Sequence, residues 1–351
     1  MTQRMKAAVL HGREDVRIEE IEIPRLEPGE VLLRTRAALT CGTDVKVFRR
    51  GYHARMIRPP AVFGHEVAGV VEAIGAGVEN VRPGTPVVVA NSAPCGECPY
   101  CADGRASLCD DLLFWNGAYA EFARIPARIV RHNLVPLDPG VGFRQAALAE
   151  PLACVVRCIE DSGVRQGQTV AVVGAGPIGL MLLALARLRG ADVITVGRNP
   201  GRLRKAQELG ASETIDLAPG QDLALLLRSR GRHGQGPDVV IEAAGLAETS
   251  EAALHAVRKG GLVNLFAGCP AEARLTLDAQ RFHYQELTVT STFHHTPQSF
   301  RAAYRLIADG EIEADAFITT EAPLDALPEV LRAMAAGGDG LKTAILPWGA
   351  E

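Results

Sequence analysis

The sequence predicts an α/β protein in which a β-rich first part is followed by a doubly wound parallel sheet and a short C-terminal part. Three observations carry that expectation. Over the first 130 or so residues, short apolar runs such as "EVLLRTRAAL", "VAGVVEAIG" and "GTPVVVA" are bounded by glycine or by a Pro-Gly turn. From about 168 to 266, the strands "TVAVV", "DVITV", "DVVIEA" and "LVNLF" alternate with helix-length intervals, of which "GRLRKAQELG" and "AETSEAALHAVRKGG" are typical. Strand and helix in alternation imply parallel strands with helices on both faces. Towards the end, "PQSFRAAYRLIADG" and "LDALPEVLRAMAAGG" read as two amphipathic helices that stop at glycine.

The bulk numbers fit such a chain. Its 351 residues suggest two domains, each large enough to bury a core. Apolar residues make up 47% and charged ones 22%, so the composition is globular. The net charge of -4 and the absence of a basic run argue against nucleic acid as a partner. The first residues, "MTQRMKAAVLHGRED", show no secretory signal. The apolar run 170–186, "VAVVGAGPIGLMLLALA", approaches the length of a membrane span, but three glycines and a proline break it into strand, turn and buried helix. The expectation is a cytoplasmic protein with no membrane partner. In a reducing compartment, clustered cysteines are metal ligands before they are disulfides.

The turn after the first of those strands, "VVGAGPIG", sets Gly174, Gly176 and Gly179 in GxGxxG spacing, with Pro177 and Ile178 opening the helix. The first glycine permits the tight turn and the second lets backbone approach a pyrophosphate. The third lets the helix pack closely on the strand, and the helix N-terminus provides the field for the anion. A merely structural glycine turn is the competing reading. The strand before it and the helix after it favour a dinucleotide.

Four of the eight cysteines fall in "CGECPYCADGRASLC": Cys95, Cys98, Cys101 and Cys109, with Pro94, Gly96, Pro99 and Gly104 forcing turns. Closely spaced thiolates on a turning loop can close a tetrahedron around zinc, leaving no place for substrate. An iron–sulfur cluster and buried free thiols are the alternatives. A hydrophilic loop is poor core material, which favours a structural zinc. Two further stretches hold potential ligands. "TCGTDVKVF" contains Cys41, Thr43 and Asp44, and "VFGHEVAGVV" contains His65 and Glu66. Each alone has a bland reading as a small buried thiol or a satisfied core histidine.

Taken together, CGTD, GHE, the four-cysteine lobe, Glu150-Pro151, GAGPIG and the closing "LKTAILP" closely resemble the zinc-dependent medium-chain alcohol dehydrogenases. The likeness runs through nearly the whole chain. It implies a GroES-like irregular β-barrel catalytic domain over 1–150, with the structural zinc lobe at 93–111. It further implies a Rossmann dinucleotide-binding domain over 151–290 and a return to the catalytic domain over 291–351. Two zinc ions per chain follow. Cys41 and His65 would hold the catalytic one, with Glu150 where other alcohol dehydrogenases place a second cysteine and Glu66 as the other carboxylate within reach. Glu150 looks like the sorbitol (polyol) and threonine dehydrogenase branch. Cys154 and Cys158 read as neighbours on one buried helix face, and Cys269 as a free thiol.

By the same resemblance, zinc acidifies the bound alcohol, whose carbon gives hydride to the nicotinamide. Thr43 takes the alcohol proton. The position that is a relay histidine in many relatives is Lys46, so the proton leaves through water or another side chain. Secondary alcohols of the polyol, cyclitol or sugar class, or their ketones, are the expected substrates. The alternatives are a threonine 3-dehydrogenase and, outside enzymes, an NAD(P)H-binding redox sensor. His53, His294, His295, Trp115 and Phe114 are candidates to line the pocket. "LVNLFAG" and "LTVTSTF" suggest sheet-edge strands and hence a homodimer or homotetramer.

NADP is the expected dinucleotide, with NAD as the alternative. The strand that would carry an acid for the ribose 2′-OH runs "ADVITVGRNPGRLRK" and has Gly197 at that position, followed by Arg198. Glycine leaves room for a 2′-phosphate. Arg198 can grip it bidentately, while Arg202 and Arg204 add to the field. An ordinary turn is the competing reading.

Overall fold

The structure, a computed structural model, describes residues 3–349 and divides into two compact units. One comprises the chain up to Ala153 and again from His295 on; the other is Cys154–His294. The crossings lie three residues beyond the first expected boundary and four beyond the second.

In the first unit the nine-residue strand Val31–Leu39 sits in the middle of a seven-stranded sheet. Glu66–Ile74, Pro86–Val89 and Leu134–Pro136 continue the sheet on one side, and Lys342–Leu346 and Ile318–Pro323 on the other. Phe122–Ile125 also pairs with Val31–Leu39. Register shifts at Leu32/Leu33 and Thr35/Ala37 mark bulges, which bend and twist a strand and so curl the sheet. Along Val31–Leu39 only Arg34 and Arg36 escape full burial, so the strand is covered on both faces. A three-stranded sheet of Asp15–Glu22, Arg4–Gly12 and Ala61–Val62 completes the β framework, with Ser92–Ala93 pairing Leu113–Phe114 at the cysteine lobe. The core packs Leu10, Leu33, Phe48, Phe63, Tyr119, Ile125 and Leu331 into one cluster.

One helix here went unread in the sequence. Gly42–Arg50 starts at Cys41, whose Sγ accepts from the Thr43 N–H, while Asp44 reaches back to the Cys41 N–H at 2.9 Å. This reciprocal pair is a capping box built on cysteine. Val47 and Phe48 bury the inner face, and Gly51 ends the helix at φ 85°.

The second unit is a six-stranded, all-parallel sheet. Its strands in chain order are Thr169–Val173, Asp192–Gly197, Glu213–Asp216, Val239–Glu242, Leu262–Leu265 and Thr288–Thr290. Numbered within the unit, their spatial order is 3-2-1-4-5-6, the dinucleotide-binding arrangement. The expected strand in "LVNLFAG" is interior; Thr288–Thr290 is the edge, with Val289 37% exposed. The short strand "ETID" escaped the sequence reading because it carries little apolar pattern. Among the described residues, no helix is long and apolar enough to cross a membrane.

Candidate active site and metal centres

The four lobe thiols converge. Gly96 and Gly104 turn the chain with positive φ, a one-turn helix Pro99–Ala102 lies between them, and all four Sγ atoms come within 4.8 Å of one another. Cys95 Sγ is 3.4 Å from that of Cys109 and 4.0 Å from that of Cys101. A disulfide needs about 2.05 Å. Four thiolates each about 2.3 Å from a zinc stand about 3.8 Å apart, which this spacing brackets. Backbone N–H groups aim at the sulfurs, Cys95 N–H at Cys109 Sγ (3.2 Å) and Cys98 N–H at Cys95 Sγ (3.4 Å). The backbone amides of Asp110 and Cys101 bring the Cys98 thiol down to about 7, because such donors favour the thiolate. The residues fit a closed zinc site.

The second donor group brings together Cys41, His65 and Glu66, whose ligand atoms also lie within 4.8 Å of one another. Cys41 is fixed by the capping box. His65 precedes the strand Glu66–Ile74 and is buried, with Nδ1 3.1 Å from Asp44 Oδ1. An Nδ1–H facing a carboxylate leaves Nε2 to offer its lone pair to a metal. Burial works to push the Cys41 thiol up, but the hydrogen bond and charge of His65 outweigh it and hold the thiol at about 7. Burial likewise opposes a charged His65, and Asp44 and Cys41 overcome it, raising the ring well above the ordinary histidine range. A thiolate beside an imidazole backed by a carboxylate is a donor set suited to zinc, and metal binding there releases a proton.

The two carboxylates stand differently. Glu66 has both oxygens 2.7 Å from Lys342 Nζ, which also donates to the Thr40 carbonyl at 2.9 Å. Burial raises Glu66 to about 8 against the pull of Lys342. Burial disfavours the Lys342 cation too, yet the charges of Glu66 and Cys41 raise its pKa, so the lysine is held as ammonium. Glu150, on the helix Ala149–Asp161, is outside the 4.8 Å group but close enough to feel the charge of His65. Burial pushes it up to about 7, and its Oε1 is 3.6 Å from His295 Nε2.

Of the expected pocket residues, His295 is buried and hydrogen-bonds Asn91 Oδ1 at 3.0 Å. Trp115 is a packing residue, its Nε1 donating to the Arg124 carbonyl. His53 Nδ1 accepts from the Arg55 and Met56 N–H groups within its own turn. Phe114 lies half-buried in the short strand Leu113–Phe114. His294 takes a positive φ of 64°. Thr43 is half-buried at the start of the Gly42–Arg50 helix, and Lys46 on the same helix is exposed. Cys158 is buried as expected and pushed up to about 12 by that burial; Cys154 and Cys269 are half-buried.

The glycine motif of the second unit divides its labour by position. A Cβ on Gly174 (φ 117°) would stand 3.0 Å from the Ala243 carbonyl carbon, and one on Gly179 would strike the Gly174 oxygen at 1.7 Å. Gly176, the N-cap of the helix Pro177–Leu188, has nothing within 4 Å. That is open space beside free helix N–H groups, where a pyrophosphate belongs. Sequence reading missed Glu242, buried at the end of its strand, which accepts from the Ala244 and Gly245 N–H groups and from Thr249 Oγ1 at 2.7 Å. It pins the turn against which Gly174 packs. At Gly197 a Cβ would lie 2.8 Å from Ala175 Cβ and 3.2 Å from Leu203 Cδ2. Packing alone therefore accounts for this glycine, and a reading of the 2′-phosphate rests on the exposed Arg198. Arg202 donates its backbone N–H to Asn199 Oδ1, which caps the following helix.

Residues 27–137 match the family of alcohol dehydrogenase GroES-like domains, and residues 177–309 the family of zinc-binding dehydrogenases. The chain is 31% identical to an L-threonine 3-dehydrogenase of Bacillus subtilis over 338 residues, 94% of each protein. It is 28% identical to a sorbitol dehydrogenase of the same organism over 354 residues, 98% of each. A zinc-binding dehydrogenase from Sinorhizobium meliloti, solved bound to NADP, superposes with a TM-score of 0.90 at 32% identity. That match covers 98% of this chain and all of the other.

Proposed function

The chain belongs to the zinc-dependent medium-chain alcohol dehydrogenase family, and from that membership we propose that it moves a hydride between a polyol, cyclitol or sugar, or the corresponding ketone, and NADP. The observation that carries the chemistry is the Cys41–His65–Glu66 donor group with Asp44 behind the imidazole. When bound there, zinc supplies a Lewis acid that makes an alcohol hydroxyl acidic, and the nicotinamide supplies the hydride acceptor. The protein's own residues do the rest. Cys41 and His65 hold the metal, and Glu150 is the third protein ligand when the site is loaded. Thr43, two residues from Cys41, receives the alcohol proton, and the exposed Lys46 lies three residues further along the same helix, where solvent takes it on. The Glu66–Lys342 pair sets the charge beneath the site. A small polar alcohol suits so many buried polar groups better than a long alkyl one does.

The 31% identity to a threonine dehydrogenase favours a second reading, oxidation of an amino alcohol by the same residues. Initial rates with sorbitol, xylitol, myo-inositol and L-threonine separate the two. Threonine as the only substrate turned over would overturn the polyol reading, and turnover of none would overturn both. For the dinucleotide, Arg198→Ala is expected to lower kcat/KM for NADP about tenfold, or about 1.4 kcal/mol, with NAD little changed. Equal losses for both would show that Arg198 does not meet the 2′-phosphate. The exposed apolar side chains Leu275, Leu277, Phe282 and Tyr284, near the edge strand in sequence, support a homo-oligomer. The four-thiol lobe, which must stay reduced to hold a metal, supports a cytoplasmic site.

Two zinc ions per chain are expected by elemental analysis. Cys95→Ser should release one of them and lower the melting temperature by several degrees, since the binding energy of a closed site is folding energy. Iron with visible absorbance would overturn the assignment of zinc to the lobe.

A further inference from the structure

One buried carboxylate governs both ends of the Cys41–His65 pair. Asp44 is 1% exposed, and its Oδ2 accepts the Cys41 backbone N–H at 2.9 Å while Oδ1 faces His65 Nδ1 at 3.1 Å. Any swing of this side chain therefore disturbs two metal-binding residues at once. A third donor meets it from elsewhere in the chain. The Tyr119 hydroxyl lies 2.6 Å from Asp44 Oδ2, in a residue that is fully buried.

The same hydroxyl is 3.0 Å from the Leu39 carbonyl oxygen, and a phenol has one proton to give. The charged acceptor at the shorter distance takes it, because hydrogen bonds to an ionised group are about twice as strong as neutral ones. Burial and the Asp44 charge keep Tyr119 well above the ordinary tyrosine range, so it stays a donor. The ring is held independently of its hydroxyl. Gly64, next to His65, lies so close that a Cβ there would come 2.5 Å from the Tyr119 ring, and Phe63 packs edge-on at 5.6 Å. Backbone bonds fix the segment on both sides, Tyr119 N–H to the Phe63 carbonyl at 2.9 Å and Ala8 N–H to the Tyr119 carbonyl at 2.8 Å.

We propose that Tyr119 is a positioning residue for the catalytic metal: its hydroxyl locks the Asp44 carboxylate, which in turn orients the His65 imidazole and the Cys41 loop. Tyr119 touches neither metal nor substrate. It acts by restricting Asp44 to the one rotamer that serves both ligands. The inference rests on the assignment of Cys41 and His65 as metal ligands.

The test is Tyr119→Phe, which keeps the ring and removes one hydrogen-bond donor. Zinc is withdrawn from the full-length protein by a chelator of graded strength, and the two equivalents are followed separately. Removing partners one step beyond a metal ligand costs 10- to 100-fold in affinity, so a group one step further out is expected to cost about 3- to 10-fold. That loss should fall on the catalytic equivalent alone, with the cysteine-lobe equivalent unchanged. The visible bands of protein carrying cobalt at the catalytic site should shift, and Asp44→Asn should cost more than Tyr119→Phe. Unchanged affinity and an unchanged cobalt spectrum would overturn the proposal. So would equal weakening of both equivalents together with a lowered denaturation midpoint of the metal-free protein, which would mark plain loss of packing. His65→Ala serves as the control on the premise. If that variant keeps both zinc equivalents at full affinity, the ligand assignment fails whatever Tyr119 does.

Discussion

His65→Ala is expected to lower kcat/KM by at least about 10³-fold while leaving dinucleotide affinity within about twofold of wild type. The loss corresponds to about 4 kcal/mol of transition-state stabilisation, the scale of Lewis-acid assistance to a developing negative oxygen. His65 is 4% exposed and commits Nδ1 to Asp44, so the substitution removes the proposed metal ligand and also strips Asp44 of one of its three donors. The glycine motif lies in the other compact unit, which makes fluorescence titration with the reduced dinucleotide a control for folding. An active variant would refute the assignment of His65. An inactive one that also fails to bind dinucleotide would show only that the chain had not folded, and His65→Gln, which keeps a polar group of similar reach, then replaces it.

What the sequence made legible was whatever is local. GxGxxG, the clustered cysteines and the alternation of strand and helix are all written within short windows, and each glycine of the motif has a steric reason visible once the turn is built. Asp44 was half legible. CGTD reads as a capping box as soon as cysteine is allowed as the cap, and the helix Gly42–Arg50 follows from it. The supports of the site were not legible. Tyr119 is 75 residues from Asp44 and Lys342 is 276 from Glu66, so only the folded chain brings them together. "LKTAILP" stood out as a stretch, yet nothing in it announces that Lys342 points inward. The rule that lysines lie outside argues against it. Gly197 shows a different limit. Its glycine invites a reading about a phosphate, and the folded chain adds a second reason for it in the packing of Ala175 and Leu203.

The buried lysine sets up the second large effect. Lys342→Met is expected to destabilise the protein by about 3–5 kcal/mol at pH 9.5, the usual consequence of leaving one member of a buried ion pair without its partner. The Lys342 side chain is 3% exposed and that of Glu66 fully buried, so no water can stand in for the lost ammonium. The deficit should depend on pH, and its sign is fixed. Burial already raises Glu66 to about 8 with Lys342 in place, from an ordinary 4.5, and without the lysine it rises further. The folded variant then holds a proton that the unfolded chain releases near pH 4.5. Stability is accordingly full below that pH and drains away as pH climbs through the folded value. Wild-type Glu66 keeps its own proton until about 8, so the two proteins lose this stability in parallel below that pH and the deficit between them widens only above it. Denaturant midpoints should thus show a smaller deficit at pH 6.5 than at pH 9.5. Adding Glu66→Gln to Lys342→Met removes the group whose ionisation is penalised and should recover the pH-dependent part of the loss at pH 9.5. A deficit that is independent of pH, or that the second substitution fails to relieve, would mean that Lys342 matters for its packing and its bond to the Thr40 carbonyl rather than for the charge on Glu66.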